Sequence, residues 1–175
     1  MTDLERRLAE VEARLALQEL LGRYALAVDD HDSDALGDCF TEDAVYVFPN
    51  SPPAESREGI VEAFRERFER FGASFHVPHY QVLHEITETT ARGTVAAYAE
   101  NATSDDTVVT AFRYEDEYAR GGDGQWRFSR RAIRTLYAMP LRELAAGGLS
   151  WSERKRWPGH QPSTSELPPN NPLDE

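Results

Sequence analysis

The chain has 175 residues, of which 40% are hydrophobic and 29% are charged, and this composition is ordinary for a globular protein. Its 19 basic and 31 acidic residues give a formal net charge of -12, which argues against a nucleic acid or an anionic membrane as a partner. Cys39 is the single cysteine, which excludes an internal disulfide and a cysteine-based zinc cluster. No apolar run reaches the roughly 18 residues of a membrane span, and the acidic N-terminus lacks the features of a secretory signal. We therefore expect a cytoplasmic protein.

Helical periodicity dominates the first part of the chain. Apolar residues recur at helix spacing from Leu4 to Val28, which predicts one long amphipathic helix. Thr2 and Glu5 have the pattern of a capping box at its start. The polar run at residues 29–32 ends this helix.

Shorter elements follow. Ser33 is the expected cap of a short second helix, and the apolar run at residues 44–48 predicts a strand. Consecutive prolines mark residues 50–56 as a loop. We expect a third helix to be capped by Ser56 and to end at Gly72.

Four runs rich in Val, Thr, Tyr and Phe fill the second part of the chain. Turn-like segments separate them, and this alternation predicts an antiparallel meander. Pro78 lies inside the first run and indicates a bulge or bend there. Helices followed by strands favour the α+β class, with the helices packed on one face of a curved sheet. The runs are residues 74–86, 92–102, 107–119 and 125–139.

The chain length fits one domain. We expect that domain to span residues 1–149, with a short helix at residues 141–146. Residues 150–175 are rich in proline and polar side chains. This composition predicts an irregular tail that is either draped on a neighbouring surface or disordered.

The common motifs for nucleotides, metals and nucleophilic catalysis are absent from the sequence. It contains no P-loop, no GxGxxG, no HExxH and no GxSxG. The Asp-Asp-His-Asp run at residues 29–32 has oxygen and imidazole groups that could hold a metal. A solvated helix end is the favoured interpretation, because such runs seldom form closed ligand sets. We therefore expect no catalytic metal and no organic cofactor.

Asp29 is one candidate for chemistry. It follows Leu8, Leu15 and Gly22 at seven-residue steps, so a straight helix places it on the face of those leucines. We expect that face to be buried, so that the carboxylate needs a hydrogen-bond partner. The alternative is that Asp29 caps the next helix or faces solvent, as most aspartates do.

A second candidate is His76, which begins the first long run between Phe75 and Val77. A histidine can take up a proton near neutral pH, and a carboxylate on one ring nitrogen fixes which nitrogen is free to do so. His79 and His84 are rivals. On an unkinked strand, His84 shares the face of His76 and His79 takes the other. A purely structural role is the alternative for each of them.

Arginines are concentrated in the last run. Both faces of that strand are mixed, so the simplest interpretation of these arginines is pairing with the acidic segment 114–119 on the preceding strand. Tyrosines are spread over the first helix and the strands. Each combines an apolar ring with one hydroxyl, which suits a pocket with a few polar groups as well as an ordinary core.

The order of these features resembles a known family. Tyr24 is followed five residues later by Asp29, and Phe-Thr-Glu-Asp-Ala at residues 40–44 leads into a strand. Over about residues 5–140 the chain resembles the SnoaL-like family of the nuclear-transport-factor-2-like superfamily. The other matching segments are residues 56–64, 74–82 and 114–133.

This resemblance implies a cone-shaped fold, in which a strongly curved antiparallel sheet wraps around the long first helix and leaves an apolar pocket at its open end. It implies a catalytic dyad of Asp29 and His76, with a pocket arginine at Arg131. It also implies aromatic substrate-binding positions, which are Tyr24, Tyr46 and Tyr114.

The resemblance further implies a function, because it extends to scytalone dehydratase, hexachlorocyclohexane dehydrochlorinase and bile acid dehydratases. The first hypothesis is a cofactor-independent lyase, of the dehydratase or dehydrohalogenase type, that removes a proton from a small apolar cyclic substrate. An isomerase or a polyketide cyclase would use the same dyad. The second hypothesis is a non-catalytic module for small-molecule binding or association. We expect a homo-oligomer, either a dimer or a trimer, with no nucleic acid or membrane partner.

Overall fold

The computed structural model describes residues 2–49 and 51–168, and it combines a long first helix with a curved six-stranded sheet. The α+β class and the four long strands of the meander are therefore confirmed. The helices are α1 (Asp3–Asp29), α2 (Ser33–Asp38), α3 (Ser56–Phe68) and α4 (Leu141–Ala145), followed by a 3-10 turn at Gly148–Ser150. The strands are β1 (Phe40–Val47), β2 (Ala54–Glu55), β3 (Ser74–Ile86), β4 (Thr90–Ala102), β5 (Thr107–Arg120) and β6 (Trp126–Pro140).

Side-chain caps mark the beginning of α1 and α2. The Thr2 hydroxyl accepts a hydrogen bond from the Glu5 N–H at 3.2 Å, and the Thr2 N–H donates to the Glu5 carboxylate at 2.7 Å, which confirms the capping box. The cap of α2 is Asp32, and the prediction of Ser33 is wrong by one residue, because the Asp32 carboxylate accepts from two N–H groups of the first turn. At α3 the cap position is Glu55, so the prediction of Ser56 is also off by one residue. The Ser56 hydroxyl, in the first residue of the helix, accepts a hydrogen bond of 3.2 Å from the N–H three residues later.

The buried face of α1 differs from the predicted one. Leu8 and Leu15 are 56% and 61% exposed, so the expectation that Asp29 shares a buried face with them is wrong. The buried residues of this 27-residue helix begin only at Ala13, so the apolar rhythm of its first turns does not indicate burial. The buried residues of α1 are Ala13, Leu17, Leu20, Leu21, Tyr24, Ala25, Ala27 and Val28.

The strands are ordered β2-β1-β6-β5-β4-β3 across the sheet. Strands β3 to β6 form the predicted antiparallel meander. In contrast, β1 pairs in parallel with β6, where Tyr46 lies opposite Arg131. The sequence did not predict this pair, because the periodicity of a strand reports its buried face and not its neighbour. The pair brings the first strand of the chain beside the last.

A bulge in β3 changes which of the side chains beyond it face inward. The register with β4 shifts between Pro78 and Tyr80, so the predicted irregularity at Pro78 is confirmed. His79, which alternation already places on the face opposite His76, is exposed. One extra residue in a strand reverses the facing of the side chains beyond it. Gln81 therefore reaches the core, where it donates to the buried Tyr118 hydroxyl at 3.0 Å. His84 is exposed, and it does not share the inward face of His76.

The C-terminal segment returns to the sheet after α4. Lys155 forms isolated bridges with Ala138 of β6 and with Ser163, and the Trp157 ring lies 6.1 Å from the Phe71 ring. The described part of the predicted tail is thus draped on the protein surface, while residues 169–175 lie outside the described residues. None of the described helices has the length and apolar character that crossing a membrane requires.

The single thiol should be inert in the folded protein. Cys39 is 1% exposed, and its thiol donates to the Ala35 carbonyl at 3.4 Å. Burial raises the pKa of this thiol to about 11, so very little thiolate exists at about pH 8. We expect iodoacetamide to leave native Cys39 unmodified at this pH and to alkylate it after unfolding in guanidinium chloride, as measured by intact mass. Rapid alkylation of the native protein would contradict the packing of α2 on β1.

Candidate active site

A cavity of about 240 Å³ lies between α1, α3 and the inner face of the sheet. Its wall is mainly aromatic and aliphatic with a few polar groups, which is typical of a small-molecule site. Two residues of the C-terminal segment, Trp157 and His160, contribute to the wall. The helices and the first strands contribute Tyr24, Val28, Tyr46, Phe64, Arg67, Phe68 and His76.

Asp29 and His76 meet at the wall of this cavity. Asp29 is the last residue of α1, and its Oδ1 lies 2.6 Å from His76 Nδ1. Its Oδ2 accepts the His76 backbone N–H at 2.9 Å, and the Ser74 hydroxyl donates to Oδ1 at 3.4 Å. The side chains of His76 and Asp29 are 16% and 15% exposed. The two side chains that the resemblance pairs are therefore within hydrogen-bond distance of each other.

The contact with Asp29 determines the tautomer of the His76 imidazole. A carboxylate accepts hydrogen bonds, so Nδ1 of His76 carries a hydrogen and Nε2 of the neutral ring has a free lone pair. Among the described residues, none bonds to Nε2. Because His76 lines the cavity, Nε2 is available to accept a proton from a bound molecule.

Three buried tyrosines line the cavity. The hydroxyls of Tyr24 and Tyr46 are 2.9 Å apart, and the Tyr114 ring meets the Tyr24 ring edge to face at 6.0 Å. Burial raises the pKa of all three phenols well above the ordinary value. Their hydroxyls therefore stay protonated at neutral pH and can donate hydrogen bonds.

Arg131 lies behind these tyrosines. It is fully buried, and its Nε and Nη2 atoms donate to the Asp116 carboxylate at 2.8 and 2.7 Å. The guanidinium lies 4.4 Å from the Tyr24 ring centre and 3.8 Å from that of Tyr114. Burial alone would lower its pKa, but the Asp116 carboxylate more than offsets this and raises the pKa, so Arg131 stays charged. The cross-strand pairing considered as the alternative is thus present at Arg131.

Arg131 is not among the described residues that line the main cavity. It borders a much smaller void together with Tyr24, His76 and Tyr114. The resemblance implied that Arg131 is a pocket arginine. In the structure Arg131 lies one layer below the wall of the main cavity, covered by the rings of Tyr24 and Tyr114.

The residues of the polar run at positions 29–32 make separate contacts and do not form one site. Asp29 bonds His76, Asp32 caps α2, and the His31 ring stacks on Phe68 with ring centres 4.4 Å apart. Within residues 2–49 and 51–168, no three His, Cys, Asp or Glu side chains are grouped to hold a metal ion.

A sequence model of the SnoaL-like domain matches residues 9–132 of the chain. The chain belongs to the SnoaL-like family. Its fold is that of the nuclear-transport-factor-2-like superfamily. No curated protein matches this SnoaL-like chain in sequence.

Several solved structures are similar to this SnoaL-like chain. A candidate scytalone dehydratase from Novosphingobium aromaticivorans DSM 12444 is 19% identical, with 75% of this chain and 89% of that chain covered and a TM-score of 0.70. A hexachlorocyclohexane dehydrochlorinase, LinA type 2, is 19% identical, with 88% and 99% covered and a TM-score of 0.73. A candidate aromatic ring hydroxylase from Novosphingobium aromaticivorans is 29% identical, with 77% and 97% covered and a TM-score of 0.70.

Sequence reasoning missed several residues of the SnoaL-like cavity. Arg67 lines it, with its guanidinium 3.4 Å above the Phe48 ring and its Nη1 donating to the Ala63 carbonyl at 2.9 Å. Burial lowers the pKa of Arg67. Its position three residues after Phe64, on the apolar face of α3, was the signal that could have revealed it. Trp157 gave no such signal, because the tail has no periodicity.

The titratable groups on the described cavity wall are basic or phenolic. Apart from the tyrosines they are Arg67, Arg70 and three histidines, with no aspartate or glutamate among the lining residues. In a chain with a net charge of -12, this local reversal of charge favours a ligand that carries an electron-rich group.

Proposed function

We propose that this protein is a cofactor-independent lyase, of the dehydratase or dehydrohalogenase type, in which His76 removes a proton from a small apolar cyclic substrate. One observation carries the proposal, namely the 2.6 Å contact between Asp29 and His76 at the wall of an otherwise mainly apolar cavity. A histidine oriented by a carboxylate, with its second nitrogen facing a pocket, is the arrangement of a general base.

In this mechanism His76 Nε2 takes a proton from a carbon of the bound ring. Asp29 holds the imidazole in the required tautomer and stabilises the imidazolium that forms. The C–H electron pair becomes a carbon–carbon double bond as the leaving group departs from the neighbouring carbon. Tyrosine hydroxyls donate hydrogen bonds to the negative charge that develops there.

Arg131 is a positioning residue in this proposal. It supports Tyr24 and Tyr114 from behind and places positive charge under their rings. Tyr24, Tyr46 and Tyr114 are the residues proposed to bind the substrate, because all three line the cavity.

The names of the similar structures are compatible with this chemistry, since two of them refer to eliminations. The third name refers to a hydroxylase, so the fold alone does not select a reaction. An isomerase or a polyketide cyclase would begin with the same proton transfer.

The proposed assembly is a homo-oligomer, a dimer or a trimer. Apolar side chains on β3 support it, because Phe75, Tyr80 and Val82 are more than half exposed in the single chain and an interface between copies would cover them.

The deciding experiment is a panel of cyclic β-hydroxy ketones and chlorinated cycloalkanes, incubated with the protein in deuterated water and followed by NMR. Deuterium exchange next to the carbonyl, loss of water or release of chloride supports the lyase. A double-bond shift without elimination supports the isomerase. Saturable binding with none of these reactions would support the non-catalytic binding module instead of an enzyme.

We expect Asp29→Asn to lower kcat by roughly 10²–10⁴ while leaving ligand affinity nearly intact, because the amide can hold the imidazole in the wrong tautomer. Asp30→Asn is a matched control, since Asp30 is the exposed neighbour in the chain. Steady-state kinetics and a ligand titration on both variants measure the two effects. Full activity in Asp29→Asn would show that the carboxylate does not orient the base.

A further inference from the structure

Two threonines that line the cavity have buried side-chain hydroxyls with no protein partner. Thr110 on β5 and Thr135 on β6 are 5% and 1% exposed, and both line the cavity. Within the described residues neither Oγ1 atom has a hydrogen-bond partner. Buried hydroxyls are nearly always bonded, because an unpaired one loses its bonds to water without replacement. A pair of them on one wall indicates that a bound molecule supplies their partner.

Strand register places Thr110 in one row with His76. Ala99 on β4 lies opposite His76 on one side and opposite Thr110 on the other, and directly opposed residues point to the same face of a sheet. Neighbouring strands are about 4.8 Å apart, so about 10 Å separates the backbones of Thr110 and His76. Ala99 also lines the cavity, and its small side chain leaves room there for part of a bound ring.

Thr135 is held in place by the C-terminal segment. Its N–H donates to Glu166 Oε2 at 2.7 Å, and its carbonyl accepts from the Glu166 N–H at 2.9 Å and from the Ser165 hydroxyl at 3.3 Å. Its backbone groups are therefore satisfied, and the side-chain hydroxyl is the group left for a ligand. These hydrogen bonds hold the backbone of Thr135 in place, so that the position of its side chain is set before a ligand binds.

We propose that Thr110 and Thr135 form a carbonyl-binding subsite, which donates hydrogen bonds to the ring carbonyl oxygen of a cyclic β-hydroxy ketone. The inference rests on the proposed function, because it places that carbonyl beside the carbon from which His76 takes the proton. As the C–H electron pair forms a double bond to the carbonyl carbon, the C=O π pair moves onto oxygen, and the two hydroxyls stabilise this enolate.

The carbonyl then re-forms, and the β-hydroxyl leaves with the proton held by His76. The products are an enone and water, so atoms and charge balance without a further reactant. A ring that carries only halogens leaves both hydroxyls poorly paired, and polar sites discriminate strongly against such ligands. The subsite therefore favours dehydration over dehydrohalogenation.

The test uses Thr110→Val and Thr135→Val, which remove one hydroxyl each while keeping the shape of the side chain. Thr41→Val is the matched control, because the Thr41 hydroxyl is also buried and unpaired but Thr41 is not a lining residue of the cavity. Cyclohexanone and methylenecyclohexane, which differ only in the oxygen, serve as binding probes, and β-hydroxycyclohexanone serves as the substrate.

We expect each cavity variant to bind cyclohexanone about 5- to 10-fold more weakly, to bind methylenecyclohexane unchanged, and to lose about 10²-fold in kcat. Thr41→Val should match the wild type in all three measurements, and thermal melting should show that every variant is folded.

Unchanged affinity for cyclohexanone in both cavity variants would overturn the subsite, even if the wild type dehydrates its substrate. If the wild type shows no deuterium exchange but the variants lose their preference for cyclohexanone, the carbonyl-binding subsite is upheld and the proposed reaction is overturned. The two proposals can therefore fail separately.

Discussion

Replacing His76 by alanine should abolish turnover, with a loss of about 10²–10⁴-fold in kcat, because a positioned base contributes this much. Nε2 of His76 is the group that the Asp29 contact leaves free at the cavity wall. The variant should still bind ligand and should lose the least stability of the site variants, since a side chain that lines a pocket supports less packing than a core residue. Kinetics, a ligand titration and urea denaturation measure these three quantities.

His79→Ala is the matched control for this experiment. His79 lies three residues further along β3, on the opposite face of the strand, and it is exposed. We expect this control to retain wild-type kcat. Should His76→Ala keep near-wild-type turnover while His79→Ala loses it, the base would be His79 and the proposed dyad would be wrong.

Removing the Asp116 carboxylate should cost about 3–5 kcal/mol of unfolding free energy, because it leaves a buried guanidinium without its counter-ion. Asp116 and Arg131 are 2% and 0% exposed. Asp116→Ala tests this directly by urea denaturation. Arg131→Ala should also lower both turnover and ligand affinity, because the guanidinium supports the rings of Tyr24 and Tyr114.

The neighbouring ion pair is a suitable control. Arg134 and Glu115 lie on the same two strands with a separation of 3.2 Å, but their side chains are 43% and 51% exposed. Glu115→Ala should therefore cost only about 0–1 kcal/mol. Equal losses in Asp116→Ala and Glu115→Ala would show that burial does not set the energy of the Arg131 pair.

Much of the fold could be predicted from local sequence patterns. The meander was predictable because its strands are long, rich in β-forming residues and separated by turns. The parallel pairing of β1 with β6 was not, since Tyr46 and Arg131 meet through a contact that no local pattern encodes. The exposure of Leu8 and Leu15 was missed for a related reason, because an apolar stripe on a helix does not reveal how much of the helix meets the core.

The candidate site was predictable in part for similar reasons. Asp29 and His76 stand at the end of one element and the start of another, and the resemblance to a family indicated that they meet. The depth of Arg131 could not be predicted, because pairing with Asp116 or facing a pocket fits the same strand pattern. Thr110 and Thr135 passed unnoticed, since threonine is common in strands and these two are set apart only by a buried, unpaired hydroxyl together with a position on the cavity wall.

The parallel pair of β1 and β6 also bears on the order in which the chain folds. Strands β3 to β6 are joined by short turns, so their hairpins form with little loss of loop entropy. In contrast, Val45 pairs with Arg130 across about half of the chain, and Asp29 lies 47 residues from His76. The meander can therefore form before α1 and β1 dock on it. The contact between Asp29 and His76 is then a late event, so activity reports the completed assembly and not the sheet alone.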